Sequence, residues 1–339
     1  MIDVANAGAL IVYLRERHLL HADEVPHVSA LSGGISSNTM LIRRASSEDL
    51  VVKQALPKLR VAVDWFSDPR RIHHEALGMT WLARFCPPGS ITSLVFEDFE
   101  EHLLVMKAVP EPHQNYKDLL LARDVSFDHV ILFAEMLAAI HRESFLQRKI
   151  VAPVFWDRSF FEALRVEPYY RYSAARVPES ASFLAELVAE TFDARLSLVH
   201  GDYSPKNILL VQGRMVLLDH EVIHFGDPAF DVGFALAHLL SKAHHLRDKS
   251  SVLLQAARLF ADRYLDGLNG LEWRTTMESR AVRHTMACLL ARVAGRSTLE
   301  YLSAAERLKQ QEIVRDMMRA PAGHPSDLIN EFHERLNCQ

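Results

Sequence analysis

The sequence predicts an α+β protein of two lobes, a small antiparallel β-sheet lobe followed by a larger, mostly α-helical one. Three observations predict it. Short apolar runs separated by turn residues crowd the N-terminal third. A polar, proline-interrupted stretch, KAVPEPHQN at residues 107–115, follows. Beyond it, apolar residues recur at helical spacing almost to the C-terminus, broken by one pair of short strands.

Taken in order, residues 4–19 carry helical spacing. Residues 28–31, 39–43 and 50–54 are strand-like runs separated by GGISS and ASSED, the pattern of an antiparallel meander. Asp68-Pro69 then opens a helix, with the aspartate as cap and the proline at the first position, running to about residue 85. Two more strands are expected at 91–96 and 103–106. This order makes residues 1–107 the first lobe, 108–113 a hinge and 114–339 the second lobe. In the second lobe, residues 130–145 are strongly amphipathic, and 160–171 and 181–192 also suit helices. Strands at 208–211 and 215–218 are joined by the turn Gln212-Gly213-Arg214, and from 229 onward nearly everything is helix-compatible.

The bulk numbers narrow the function classes. With 339 residues the chain can bury a sizeable core. A net charge of -5, spread along the chain, leaves no basic stripe for nucleic acid. Cys86, Cys288 and Cys338 stand far apart, which fits neither a metal cluster nor a disulfide framework and suits a reducing cytoplasm. No apolar run is long enough to span a bilayer, and the N-terminus has no basic start or cleavage site. The 18 histidines include neighbours such as His73-His74, but no pair has a third ligand at zinc spacing. A monomer or homodimer, with no nucleic-acid or membrane partner, is the expectation.

The stretch with most chemistry is HGDYSPKNILL, residues 200–210, followed by LLDHEVIHFGDPAFD, residues 217–231. It places Asp202, Asn207 and Asp219 around two short strands and a tight turn. Phosphoryl transfer needs positioning, a metal ion and neutralised charge more than covalent help. Asp202 is the candidate base for an attacking hydroxyl. Asn207 and Asp219 offer the oxygen ligands that a hard magnesium ion prefers. Each residue alone is unremarkable as a turn or surface acid; the set in this order points to a nucleotide-dependent kinase.

HGDYSPKNIL, then DHE, then GDPAFD, resembles the aminoglycoside phosphotransferase and choline kinase superfamily, across roughly residues 28–300. The resemblance implies a protein-kinase-like bilobal fold, ATP and Mg2+ as cofactors, and a small-molecule hydroxyl as acceptor. Protein kinases carry a related loop with arginine after the histidine, Asp-Phe-Gly as metal motif and an Ala-Pro-Glu segment; Gly201 and Asp219-His220-Glu221 replace the first two here, and the third does not follow. On this likeness Lys53, at the end of the third strand, reaches the nucleotide phosphates and pairs with Glu75 on the next helix. Gly33, Gly34, Ser36 and Ser37, in SGGISSN, become the phosphate cover. Met106, Lys107 and Val109 line the adenine through their backbone. Asp227 and Asp231 serve the fold, with Asp231 bracing the catalytic loop, and His141 is a hydrogen-bonded core histidine.

Within the superfamily, VVKQALPKLRVAVDWFSDPRRIHHEA is similar to methylthioribose kinase. The loop Pro205-Lys206-Asn207 departs from that family, and of its paired late arginines only Arg292 has a counterpart. Lys206, Glu221 and Arg292 are the candidate acceptor contacts. From Leu271 onward the chain has ten basic and nine acidic residues, so no acidic wall for a polycation is visible. The aromatics of VFWDRSFFEALRVEPYYRY suit core more than a choline cage. A neutral polyol or sugar-like acceptor is expected, met by arginines such as Arg171 and Arg292. The alternatives are methylthioribose kinase proper, an aminoglycoside phosphotransferase, or a non-catalytic nucleotide-binding regulator of the same fold; the presence of Lys53, Glu75, Asp202, Asn207 and Asp219 together argues against the last.

Overall fold

The computed structural model describes residues 2–31, 34–45, 47–61 and 64–338. Gly33 of the expected phosphate cover lies outside them. The fold is α+β and bilobal.

The first lobe opens with α1 (Ala7–Glu16), capped by the Asn6 side chain on the Ala9 N–H. Strands β1 (His27–Ala30), β2 (Ser37–Arg43), β3 (Leu50–Ala55), β4 (Leu94–Asp98) and β5 (Leu103–Lys107) form an antiparallel sheet in the order β1-β2-β3-β5-β4. The two-residue period of a strand decides what each face meets. Val52, Leu103 and Val105 pack with Leu10 and Leu14 of α1. Val51, Ala55, Leu104 and Met106 face the other way and pack with Ile72, Ala76 and Met79 of helix α2 (Arg71–Leu82). Lys53 alternates with Val52, so it points to the α2 side of the sheet.

Several boundaries differ from the sequence expectation, and two of them have a visible cause or consequence. The helix after Asp68 begins at Arg71, because Asp68 spends its carboxylate on a turn, accepting the Arg70 N–H at 2.9 Å and the Arg70 guanidinium. The fourth strand begins at Leu94; Ile91 instead makes an isolated parallel bridge to Leu217. Gly78 marks a close approach between α2 and the second lobe. A Cβ there would stand 2.9 Å from His220 Cβ and 3.2 Å from Ile223 Cγ2.

The second lobe follows as β6 (Gln114–Asn115), α3 (Tyr116–Leu121), α4 (Phe127–Leu146), α5 (Arg148–Val154) and α6 (Ser159–Phe161). A π-helix, Glu162–Arg171, comes next, then α7 (Tyr172–Arg176) and α8 (Ala181–Asp193). The helix expected at 160–171 is thus present with a wider turn. Pro168 lies inside it and cannot donate to the α-helical ladder, which favours the π register. Strand β7 (Ser197–Val199) pairs with β10 (His224–Gly226), and β8 (Ile208–Val211) lies between β6 and β9 (Arg214–Leu217). Helices α9 (Ala229–His245), α10 (Ser250–Gly267), α11 (Arg274–Ala294), α12 (Ala304–Met317) and α13 (Pro325–Asn337) complete the lobe. The largest core lies here, around α4, α9, α10 and α11, and α9 is buried along almost its whole length. No helix among the described residues is long and apolar enough to cross a membrane.

Asp231, in the first turn of α9, accepts the backbone N–H of His200 at 2.6 Å and of Gly201 at 2.8 Å, and meets His141 Nε2 at 3.3 Å. His141 is itself wholly buried and bonded to the Tyr264 hydroxyl at 2.8 Å. Asp231→Ala leaves two buried N–H groups without an acceptor. At about 1–3 kcal/mol each, the loss of unfolding free energy should be several times that of a surface substitution, as measured by urea denaturation. Asp231→Asn should recover part of it.

Candidate active site

The His200–Gly201 turn is built where β7 ends. Gly201 has φ of 77°, a left-handed conformation, and a Cβ there would meet Val222 Cγ2 at 2.8 Å and the Val222 carbonyl at 3.1 Å. Glycine is therefore required, and the turn delivers Asp202 into the cleft. Asp202 is 1 % exposed. One of its carboxylate oxygens meets Lys206 Nζ at 2.8 Å and Arg165 at 3.1 Å and accepts the Asn207 amide at 2.8 Å. The other oxygen, Oδ1, is buried without a partner among the described residues, as is the neighbouring Ser204 hydroxyl. Burial alone would raise the Asp202 carboxyl, but Arg165 and Lys206 outweigh it and hold the group below the usual carboxylate range.

Asn207 sits at the start of β8, and its carbonyl accepts the Leu218 N–H at 2.9 Å. That bond leaves Asp219 two residues past the end of β9. Asp219 has φ of 67°. A non-glycine residue held there is strained, as residues at functional sites often are. Lys53 Nζ bridges the lobes, 2.7 Å from Glu75 and 2.6 Å from Asp219. Burial opposes the Lys53 charge, but Asp219, Glu75 and Glu221 more than restore it, so the amine is held above its ordinary range. Asp219 is held well below its own: burial would raise it, and Lys53 and Lys206 outweigh that. Burial pushes Glu75 up, and the Asp219 and Glu221 charges add to the push against the pull of Lys53.

Glu75, Asp219 and Glu221 bring a carboxylate oxygen each within 4.8 Å of one another. With the Asn207 amide nitrogen committed to Asp202, its oxygen is left as a ligand atom. These are all oxygen donors with surplus negative charge, the donor set of a hard divalent cation. Glu221 is not brought to the acceptor candidates. Arg71, wholly buried, meets it at 2.9 Å. The same guanidinium donates to the Leu56 carbonyl at 2.9 Å and to the Ser36 carbonyl.

The other sequence candidates fall as follows. Ser36 and Ser37 are buried where β2 begins, with Gly34 exposed beside them. Met106 is buried under α2. The Lys107 N–H donates to Ser93 at 3.0 Å and the Ala108 N–H to Asp49 at 2.8 Å, so at those two positions the donor is already used. The Lys107 amine reaches Glu48, and Val109 follows in the segment without regular structure. Arg292 lies inside the second lobe, bonded to the Tyr169 hydroxyl at 2.9 Å and the Ser297 carbonyl at 2.7 Å. Arg171, expected to meet an acceptor, is instead half-exposed and spent on Glu162 and Glu167 of its own helix.

Two arginines of the site were not marked by the sequence reading. Arg165 is brought to Asp202 and to the Gly201 carbonyl (2.6 Å) by the π-helix. The signal available was Pro168, a proline inside a helical pattern. Arg71 carried no signal beyond its neighbour Arg70.

The chain belongs to the phosphotransferase enzyme family (APH), whose model matches residues 27–276. Among curated proteins it is similar to the methylthioribose kinase of Pectobacterium atrosepticum, 26% identical over 216 residues, covering 56% of this chain and 54% of that protein. Methylthioribose kinase 2 of Oryza sativa subsp. japonica is 23% identical over 266 residues, covering 69% and 62%. The chain thus spans little more than half the length of the first of these relatives. A choline/ethanolamine kinase family protein from Mesorhizobium loti shares the fold, with a TM-score of 0.58 and 13% identity over 96% of this chain and 99% of that one. So does the amicoumacin kinase hAmiN, solved with AMP-PNP and Ca2+, at 0.53 and 14% over 92% and 94%.

Arg165→Met should raise the Asp202 carboxyl, since one of the two cations that hold it down is then gone. A carboxyl-carbon NMR titration, with Asp202→Asn to assign the resonance, measures it. An unmoved titration would show that Arg165 acts on the Gly201 carbonyl alone.

Proposed function

We propose that this protein is an ATP-dependent kinase that moves the γ-phosphoryl group to a hydroxyl of a small, sugar-like molecule. The observation that carries the reading is the cleft itself. A buried carboxylate with one unpartnered oxygen, Asp202, lies beside an oxygen-ligand pair, Asn207 and Asp219, and opposite a lysine bridging Glu75 and Asp219.

In this reading Asp202 is ionised throughout the working range and turns its free oxygen to the acceptor hydroxyl. It orients that hydroxyl for in-line attack and receives its proton as the new bond forms. The hydroxyl oxygen bonds to the γ-phosphorus, the bond to the β,γ-bridging oxygen breaks, and ADP leaves. Lys53 moves from Asp219 to the nucleotide phosphates and keeps Glu75. Asn207 and Asp219 would hold Mg2+, which supplies charge neutralisation on the phosphates when bound. Lys206, anchored on Asp202 and half-exposed, lies where negative charge develops. Gly34, Ser36 and Ser37 cover the phosphates, and Met106, Lys107 and Val109 line the adenine; with the Lys107 and Ala108 donors used, Val109 offers a backbone donor to the base. The similarity to methylthioribose kinases supports a pentose-like acceptor.

The test is magnesium-dependent ADP release against methylthioribose, other pentoses and hexoses, choline, homoserine and aminoglycosides. Asp202→Asn should lower turnover by about a hundred- to ten-thousand-fold and leave nucleotide affinity nearly unchanged by calorimetry. Asp219→Ala should remove the magnesium-dependent part of ATP binding. Wild-type turnover in Asp202→Asn would refute the base assignment. ATP binding with no ADP formed from any acceptor would favour a nucleotide-binding regulator.

A further inference from the structure

Helix α9 is apolar except for one stripe. His238, Ser241 and Lys242 stand at i, i+3 and i+4 on one face, one turn beyond Phe234. Lys242 is wholly buried. Among the described residues its amine finds the His238 carbonyl at 3.4 Å and the face of Tyr301 at 5.3 Å. Arg292, 6 % exposed, approaches from α11 and has no carboxylate partner among the described residues. Four polar atoms in this region are buried without a partner among those residues: His238 Nε2, Ser241 Oγ, Arg292 Nε and the Tyr301 hydroxyl.

The local charge is unbalanced. Lys117 and Arg292 repel Lys242 more than Glu300 and Asp118 attract it, and Glu300 is already tied to Lys117. Burial, reinforced by those two cations, pushes the Lys242 amine down to about 7. An amine that yields its proton for want of a counter-charge, amid four polar atoms without a protein partner, is a place where an anion would be held.

The region is continuous with the His200–Gly201 turn. Arg292 donates to the Tyr169 hydroxyl at 2.9 Å; the Tyr169 ring lies 5.6 Å from Arg165, which holds Asp202. Phe234 stacks on Tyr169 at 5.8 Å. Lys206, on Asp202, also acts on His238.

We propose that Lys242, His238, Ser241, Arg292 and Tyr301 form an anion-binding subsite, and that the acceptor therefore carries a carboxylate or phosphate in addition to its reactive hydroxyl. This replaces the neutral acceptor that composition suggests. Assigning the anion to the phosphoryl acceptor rests on the kinase reading; the subsite does not.

Two measurements test it on the full chain. In thermal melting at fixed ionic strength, inorganic phosphate or acetate should raise the midpoint of the wild type and of Lys53→Met, which lacks the nucleotide-phosphate lysine. Neither should raise it for Lys242→Met, and the more effective anion tells phosphate from carboxylate. Without anion, Lys242→Met should melt at or above the wild type, since an uncompensated buried charge is gone; Arg292→Gln is the second variant should that one not fold. Equal anion response in wild type and variant, or none in either, overturns the subsite. In ADP release, hydroxy acids and sugar phosphates should outperform neutral sugars of matching size. Lys242→Met should raise their KM about tenfold or more with kcat little changed. Preference for neutral acceptors with no effect of Lys242→Met overturns the proposal and leaves the kinase reading standing. A Lys242-dependent anion response with no acceptor turned over does the reverse.

Discussion

The structure hangs on the carboxylate of Asp231. It joins the first turn of α9, where the helix dipole favours a negative charge, to the two N–H groups of the His200–Gly201 turn. Through His141 and Tyr264 it also reaches α4 and α10. One side chain thereby fixes the height and direction of Asp202 relative to the largest core of the protein. The packing of three helices is converted into the position of one carboxylate.

Across the cleft, order comes from shared charge. Lys53 and Arg71 both start in the first lobe and end on carboxylates of the Asp219–Glu221 segment. Three carboxylates, two of them buried, face two buried cations there, so the cluster is short of positive charge. Asp202 has the opposite surroundings, with Arg165 and Lys206 both on one oxygen. The cleft therefore has a side that attracts a cation and a side that attracts negative charge.

Much of this was legible in the sequence because it lies in local, repeating patterns. Strand alternation places Lys53 on the face that meets α2, and the spacing from Asp202 to Asn207 and Asp219 is that of one turn and one hairpin. Arg165, Arg71 and Lys242 were not legible as site residues, since an arginine or lysine in a helical pattern is by default solvated. Their roles come from contacts between elements remote in sequence: Arg165 with residue 202, Arg71 with 221, Lys242 with 301. Lys242 did carry a trace, as a lone lysine in a helix whose other positions are almost all apolar or histidine. The start of α2 was misplaced because Asp68 and Pro69 suit a turn as well as a cap.

Gly78 bears on how such a protein can be controlled. With no room for even a methyl group between α2 and His220, the helix that presents Glu75 is docked against the segment that presents Asp219. The two travel as one body. Swinging this helix outward, so as to separate lysine from glutamate, would therefore have to break the packing of Gly78 on His220 and Ile223.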